Sequence, residues 1–357
     1  MLKMLKERQS DYDANCFLNE LASASKCLGI LEAKISTYQF DNILIPMLHR
    51  KEAISSMYIE GTQTTISDVL ENEIKPKASP DKISIEVNNH VNALLYGSEH
   101  LKNNRFTHTF IQDIHRIMMK QLLSGNHEKN IGRYKTEDNH IENSAGTIVF
   151  TPPSHKETKK YMDELIQYMN DESDNIHPLV KAAIVHSQFE SIHPFSDGNG
   201  RVGRLLVSLY LYKTKIINFP FFYISEAISQ DKTVYYKMLT DSRTNSYDGW
   251  IKYFLKKIII QSEKHIGYID SLNALYIKTK AVIQNNINSP KFESIIECMF
   301  NHPVLTAEYL SNQLTISRGQ AIRYLNVLER EGVLLGDDRQ RCRTFFFAEL
   351  IDLAKGI

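Results

Sequence analysis

Groups able to do polar chemistry crowd into one stretch, His193-Pro194-Phe195-Ser196-Asp197-Gly198-Asn199-Gly200-Arg201-Val202-Gly203-Arg204. Gly198 and Gly200 lack a Cβ, so the backbone can curl and bring its N–H groups close to an anion. The run before the stretch, 178–192, and the run after it, 205–212, both have helical spacing. The stretch is therefore a tight loop that opens a helix, whose free N–H groups and positive dipole end add to an anion site. Arg201 and Arg204 are three apart, share a helix face and can fork onto phosphate oxygens. Asp197 is a hard oxygen ligand suited to Mg²⁺, an ion that arrives with substrate phosphates and takes few protein ligands. His193 can accept a proton near neutral pH and is the natural general base. A base, a metal ligand and a polyphosphate cradle thus lie within one loop.

Other phosphate-handling patterns are excluded. Gly198-x-Gly200-x-x-Gly203 matches a dinucleotide fingerprint in letters, but that fingerprint follows a strand and here a helix precedes it. The chain has no GxxxxGK[ST] segment and no HRD or DFG set, which sets aside P-loop proteins and protein kinases.

The elements that must hold this loop are mostly helices. Only 10 prolines and 15 glycines interrupt 357 residues. Phe110, Ile114, Ile117, Met118 and Leu122 form one helical stripe; Tyr161, Leu165, Ile166 and Met169 form another. Leu205 to Leu211 is apolar almost all round, which predicts a helix buried in the centre of a bundle. The clearest strand is Thr147-Ile148-Val149-Phe150-Thr151, between Ser144-Ala145-Gly146 and Pro152-Pro153, expected to pair with the stretch after Gly132 as a hairpin. Near Asn285 to Pro290 the helical pattern breaks. Beyond it come helices at Phe292–Phe300, Thr306–Leu314 and Ser317–Glu331, then two short strands around Val333–Leu335 and Thr344–Phe347. Three helices and a wing predict a winged helix-turn-helix.

Bulk numbers set the frame. The length allows two to three domains. Hydrophobic residues make up 42% and charged residues 24%, and Lys+Arg and Asp+Glu both total 42, so no global field draws in nucleic acid. Cys16, Cys27, Cys298 and Cys342 lie far apart, without zinc spacing, and read as free thiols. No signal peptide and no run of about 18 apolar residues is seen, so a cytoplasmic location and no membrane contact are expected.

The loop resembles the signature of Fic proteins, HPF-x-Asp/Glu-GNGR-x-x-R, at every fixed position, and looser similarity runs from about residue 105 to 260. The resemblance implies ATP as substrate and AMP transfer to Ser, Thr or Tyr hydroxyls of a target protein. His193 would be the catalytic base and Asp197 the Mg ligand. Gly198, Asn199 and Gly200 would line the anion hole, Arg201 would meet the β-phosphate and Arg204 the γ-phosphate, with Phe195 also among the nucleotide-binding residues. Thr147, Ile148, Val149 and Phe150 correspond to the family's flap, beside which a target segment adds by main-chain hydrogen bonds. Tyr235 and Tyr236 fall in a segment that resembles the family's adenine side. Upstream, Ser56-Met57-Tyr58-Ile59-Glu60-Gly61 resembles the family's inhibitory motif. Ser56 and Glu60 share a helix face and Gly61 can end that helix. In the family this glutamate pairs with the second arginine of the signature, here Arg204, and occupies the fork meant for the γ-phosphate.

The expected fold is mainly α: a helical Fic bundle with a small β-hairpin flap, plus a C-terminal winged helix-turn-helix. The expected division is 1–104, an N-terminal helical region with the inhibitory helix; 105–260, the catalytic domain; 261–288, a helical linker; and 289–357, the winged helix. The expected function is an autoinhibited protein adenylyltransferase, with the chain itself among its targets and a homodimer as one assembly. The alternatives are AMP removal by the same site and a nucleotide-sensing DNA-binding regulator. From Ser289 onward eight basic residues, Arg318, Arg323, Arg339, Arg341 and Arg343 among them, face nine acidic ones, so a protein-docking module stands beside DNA as the role of the winged helix.

Overall fold

Helices dominate the computed structural model, which describes residues 2–8, 11–38, 41–66, 68–70, 82–123, 126–142, 146–220, 222–339 and 342–355. The main elements are α1 (Leu18–Tyr38), α2 (Asp41–Ile59), α3 (Lys82–Asn103), α4 (His108–Met118), β1 (Ile141–Glu142), β2 (Ile148–Phe150), α5 (His155–Asn170), α6 (Pro178–Ile192), α7 (Asn199–Lys213), α8 (Lys232–Thr244) and α9 (Asp248–Asn286). They continue as α10 (Phe292–Asn301), β3 (Val304–Thr306), α11 (Ala307–Leu314), α12 (Arg318–Arg330), β4 (Leu335–Gly336), β5 (Thr344–Phe346) and α13 (Ala348–Lys355). The chain is mainly α with small antiparallel sheets, as its long apolar stripes predict. Among the described residues no helix is long and apolar enough to cross a membrane.

Contacts divide the chain into two compact units, one of Met1–Glu32, Ser55–Thr62 and Ile85–Glu263, the other of Ala33–Ile54, Gln63–Ser84 and Lys264–Ile357. The boundaries fall inside α1, α2, α3 and α9, except for the one between Thr62 and Gln63, which lies in the loop after α2. The expected helical linker, 261–288, begins inside one continuous helix, α9.

The first unit is built around α6 and α7. Every residue from Leu179 to Ile192 in α6 is buried, and α7 is buried over most of its length. Such a pair has no solvent face, which is why the sequence between 205 and 211 shows no polar stripe. Helices α5 and α8 flank α6, and α4 and α5 pack on each other. Local chemistry fixes the ends. Thr107 caps α4 by accepting from Phe110 N–H at 3.1 Å. Pro178 opens α6 with His177 as its cap. The stripe predicted to reach Leu122 stops at Met118, because Gln121 takes a positive φ of 62° and turns the chain. An N-terminal arm docks on this unit. The Leu5 and Lys6 N–H groups donate to Glu164. The Arg8 guanidinium closes the C-terminal end of α8, donating to the carbonyls of Ser242 at 2.7 Å, Arg243 at 3.3 Å and Asn245.

The hairpin pairs Ile141 with Phe150 and Glu142 with Ile148, with a bulge between. Thr147 precedes the strand, and Ser144 and Ala145 lie outside the described residues. In the second unit the predicted N-caps are in place: Thr306 accepts from Tyr309 N–H at 3.2 Å and Ser317 from Gln320 N–H at 3.2 Å. The sheet has three strands in the order β3-β5-β4, not two. The third is Val304–Thr306, which merges into the cap of α11 and so leaves no separate signal in the sequence.

Candidate active site

The loop from His193 to Gly198 joins the two buried helices. His193 ends α6 in the left-handed region, φ 49° and ψ 60°, with its N–H bonded to Phe189 O at 3.0 Å. A non-glycine residue there is strained and must be held by its surroundings. The segment from Lys135 to Asn139 does this. Lys135 N–H donates to Pro194 O at 2.8 Å, and Asn139 Nδ2 donates to the carbonyls of His193 at 3.3 Å and Phe195 at 3.0 Å. From α4, His115 stacks flat on Phe195, centroids 3.9 Å apart. His115 Nδ1 accepts from Gly132 N–H, so Nε2 carries the proton and donates to Asp197 O at 3.0 Å. Gly198 turns the chain at φ 79°, and a Cβ there would meet Met119 Sδ at 2.6 Å.

His193 is half-buried. Burial first, and the Lys135 ammonium second, push its imidazole down to about 4, so it is neutral at ordinary pH. Asp197 is open to solvent, its side chain 49% exposed, and one of its oxygens faces Arg201 at 3.3 Å. The first-turn N–H groups of α7, at Asn199, Gly200 and Arg201, lie beyond the reach of intrahelical acceptors.

Both arginines of the loop have carboxylate partners. Arg201 pairs with Glu86 of α3 at 2.7 Å. Arg204 is 2% exposed. Its Nε and Nη2 donate to Ser56 Oγ at 3.1 and 2.9 Å, and Nη2 also donates to Ser56 O at 3.0 Å and Glu60 Oε1 at 2.6 Å. Burial opposes its charge, and Glu60 more than restores it. Glu60 is set in place by the end of α2. Gly61 N–H bonds to Tyr58 O at 3.1 Å and Thr62 N–H to Met57 O at 3.0 Å, with Gly61 at φ 94°. This is a Schellman ending, which needs the glycine and leaves Glu60 as the C-cap, one residue beyond the last helical residue, Ile59. The Glu60 carboxylate also lies over the first turn of α7: a Cβ at Gly200 would collide with Glu60 Oε1. The glycine lets an anion settle at the helix N-terminus.

The loop residues His193, Asp197, Gly198, Gly200, Arg201 and Arg204 come together with Ser56, Glu60 and Gly61. Three of the expected nucleotide-binding residues have side chains engaged within the protein itself. Phe195 is wholly buried among His115, Tyr134 and Phe189 and presents no ring to a ligand. Asn199 turns its amide inward, accepting from Phe195 N–H and donating to Phe195 O, both at 2.8 Å, so its side chain braces the loop. Tyr235 is core, its hydroxyl on His186 Nε2 at 2.9 Å, while Tyr236 is 45% exposed and its hydroxyl donates to Ile59 O at 3.3 Å. In the hairpin, Ile148 and Val149 are exposed. Phe150 instead lies under the Arg243 guanidinium at 3.9 Å, and Arg243 Nε donates to Ser191 Oγ at 3.3 Å, two residues before His193. Glu86, His115, Lys135, Asn139, Glu190 and Arg243 escape sequence reading, because each is an unremarkable residue within a helix or loop until the fold brings it to the loop.

Comparison with known proteins agrees with this architecture. The model of the Fic/DOC family matches residues 105–211, and that of the Fic/DOC family N-terminal region matches 18–99, together more than half of the chain. The chain belongs to the Fic/DOC family. It is 28% identical over 201 residues to the protein adenylyltransferase Fic of Nematostella vectensis, a match covering 55% of this chain and 43% of that protein. It is 29% identical over 119 residues to the protein adenylyltransferase fic-1 of Caenorhabditis elegans, covering 33% of this chain and 22% of that one. The matched stretches span less than half of these relatives. In fold it is similar to a Fic family protein from Desulfovibrio desulfuricans G20, with TM-score 0.54 at 20% identity over 91% of this chain and 95% of that one. C. elegans Fic-1 aligns with TM-score 0.54 at 19% identity over 71% and 72%.

Proposed function

We propose that the chain is a protein adenylyltransferase that Glu60 holds inactive at rest. The observation that carries this reading is the Arg204 fork. A buried guanidinium at the start of α7 has its Nε and Nη2 donors engaged by Ser56 and by a carboxylate lying over Gly200. The loop's design suits a polyphosphate, and a side-chain anion fills part of it.

With Glu60 withdrawn, Arg204 takes the γ-phosphate of ATP, Arg201 the β-phosphate, and the α7 N–H groups the oxygens nearest the reacting centre. Neutral His193 accepts the proton of a target Ser, Thr or Tyr hydroxyl. The oxygen bonds to the α-phosphorus, the bond to the bridging oxygen breaks, pyrophosphate leaves, and AMP remains as a phosphodiester. Asp197 fits Mg²⁺: one exposed carboxylate beside an anion site is what an ion arriving with phosphates requires, and it would supply charge neutralisation there. Ile148 and Val149 offer the strand beside which the target segment lies, and Tyr236 is the aromatic left to flank the base. The rate derives from positioning and electrostatics.

The C-terminal helices and sheet form, in this reading, a winged helix that docks protein. Arg343 is held bidentately by Glu329 at 2.7 and 2.6 Å, and Arg339 pairs with Asp337. Arg341 lies outside the described residues.

The decisive experiment uses ATP labelled at the α-phosphate with wild type, Glu60→Gly and His193→Ala. Label on protein with Glu60→Gly, at least about tenfold above wild type and absent with His193→Ala, is expected, since a base contributes on the order of 100-fold or more. No label with any of the three, despite ATP binding, overturns transfer and favours AMP removal.

A further inference from the structure

Glu190 is a carboxylate in a place that leaves it unpaired. It lies on α6 three residues before His193, is 6% exposed, and its Oε1 has no hydrogen-bond partner. It fits only because residue 203 is glycine, where a Cβ would collide with that same oxygen. The groups that face it are Arg204 from α7, Glu60 from the end of α2, and Arg243, Tyr235 and Tyr236 from α8. Burial raises its carboxyl to about 7, Arg204 pulling it down and Glu60 pushing it up.

Arg204 therefore has two carboxylates in its field and uses one. While Glu60 holds the fork, a charge on Glu190 is surplus and a proton cancels it. Once Glu60 leaves, the guanidinium is a buried cation without its ion-pair partner, an expensive state. We propose that Glu190 is the second counter-ion of Arg204, a positioning residue that takes over the guanidinium's charge when Glu60 withdraws. The inference rests on the reading of Glu60 as a removable brake. Its proton goes to solvent at that moment, so release of the brake is favoured as pH rises, and low pH, which keeps Glu190 neutral, favours the closed fork.

Thermal melts of the full chain without nucleotide test this independently of any transfer activity. The proteins are wild type, Glu190→Gln, Glu60→Gly and the double variant at about pH 8. Each kcal/mol lost shifts the midpoint by about 2–4 °C in a domain of this size, so an uncompensated buried arginine should be plainly visible. Glu190→Gln alone should move the midpoint by less than about 2 °C. The double variant should melt at least about 5 °C below the sum of the single shifts. A smaller departure from additivity, the result expected if Glu190 only packs, overturns the proposal. Failure of the brake reading looks different: Glu60→Gly alone would then leave both the midpoint and ATP affinity unchanged. If Glu190→Gln does not fold, the ¹³C carboxyl titration of Glu190 decides. A midpoint at least about one pH unit lower in Glu60→Gly than in wild type supports the proposal, and a smaller change overturns it.

Discussion

A base is useful only in its proton-accepting form, and for His193 that form is set by the fold. Burial and Lys135 hold its imidazole at about 4, against the usual value near 6.5. Since the neutral ring is the active one, activity persists as pH falls until the folded-state value is approached. The Glu60→Gly protein should keep at least about half of its neutral-pH kcat/KM at about pH 5.5, where an unperturbed histidine would retain about a tenth. Initial rates of label transfer across that range check it, and an inflection near 6.5 would contradict the burial argument. Residue types in this loop were legible from spacing alone, because a base, an oxygen ligand, glycines and two arginines rarely converge otherwise. Their engagements were not, apart from the Glu60–Arg204 pair that the resemblance implied. Arg201 and Arg204 look equivalent in sequence, yet one is shared by Glu86 and Asp197 and the other is held by Ser56 and Glu60. Phe195 and Tyr235 have the right chemistry for a nucleotide, but their rings are part of the core.

At the scale of elements, the loop is held from outside and from within. Lys135, Asn139 and His115 satisfy its outer carbonyls, and Asn199 closes it by bonding both the N–H and the C=O of Phe195. Removing that amide strands the buried Phe195 N–H, worth about 1–3 kcal/mol, while the Phe195 carbonyl keeps its bond from Asn139. Asn199→Ala should therefore cost about 1–3 kcal/mol in stability. Urea titration should show a lower midpoint with an unchanged slope, whereas a role confined to ligand binding would leave the midpoint unmoved. Helices α4 to α7 were readable from the helical spacing of their apolar residues, and α11 and α12 from their Thr and Ser caps. The brace formed by residues 135–139 was not, because contacts that join distant segments leave no period. β3 was hidden for another reason, being three residues long and continuous with a helix cap.

For the chain as a whole, charge decides which partners the C-terminal unit can attract. Basic and acidic residues balance at 42 each, and from Ser289 onward eight basic residues face nine acidic ones. Binding to DNA depends on lysines and arginines free to displace counterions from phosphates. Here Arg343 is clamped by Glu329, Arg339 is tied to Asp337, and Lys291 donates to Leu314 O. Meanwhile Ile322 on α12 and Leu335 in β4 are exposed, apolar groups that gain nothing from a phosphate backbone and something from a protein surface. Sequence order alone left DNA and protein docking side by side, since the winged helix expected there could serve either and the pairing of the arginines is a tertiary property. With those pairs formed, duplex DNA should give no retarded band at about 50 mM salt and about 1 µM protein, conditions under which proteins making several phosphate contacts bind without regard to sequence. A band that fades as salt is raised to about 200 mM would show that the ion pairs open to phosphate, and would return the unit to nucleic acid.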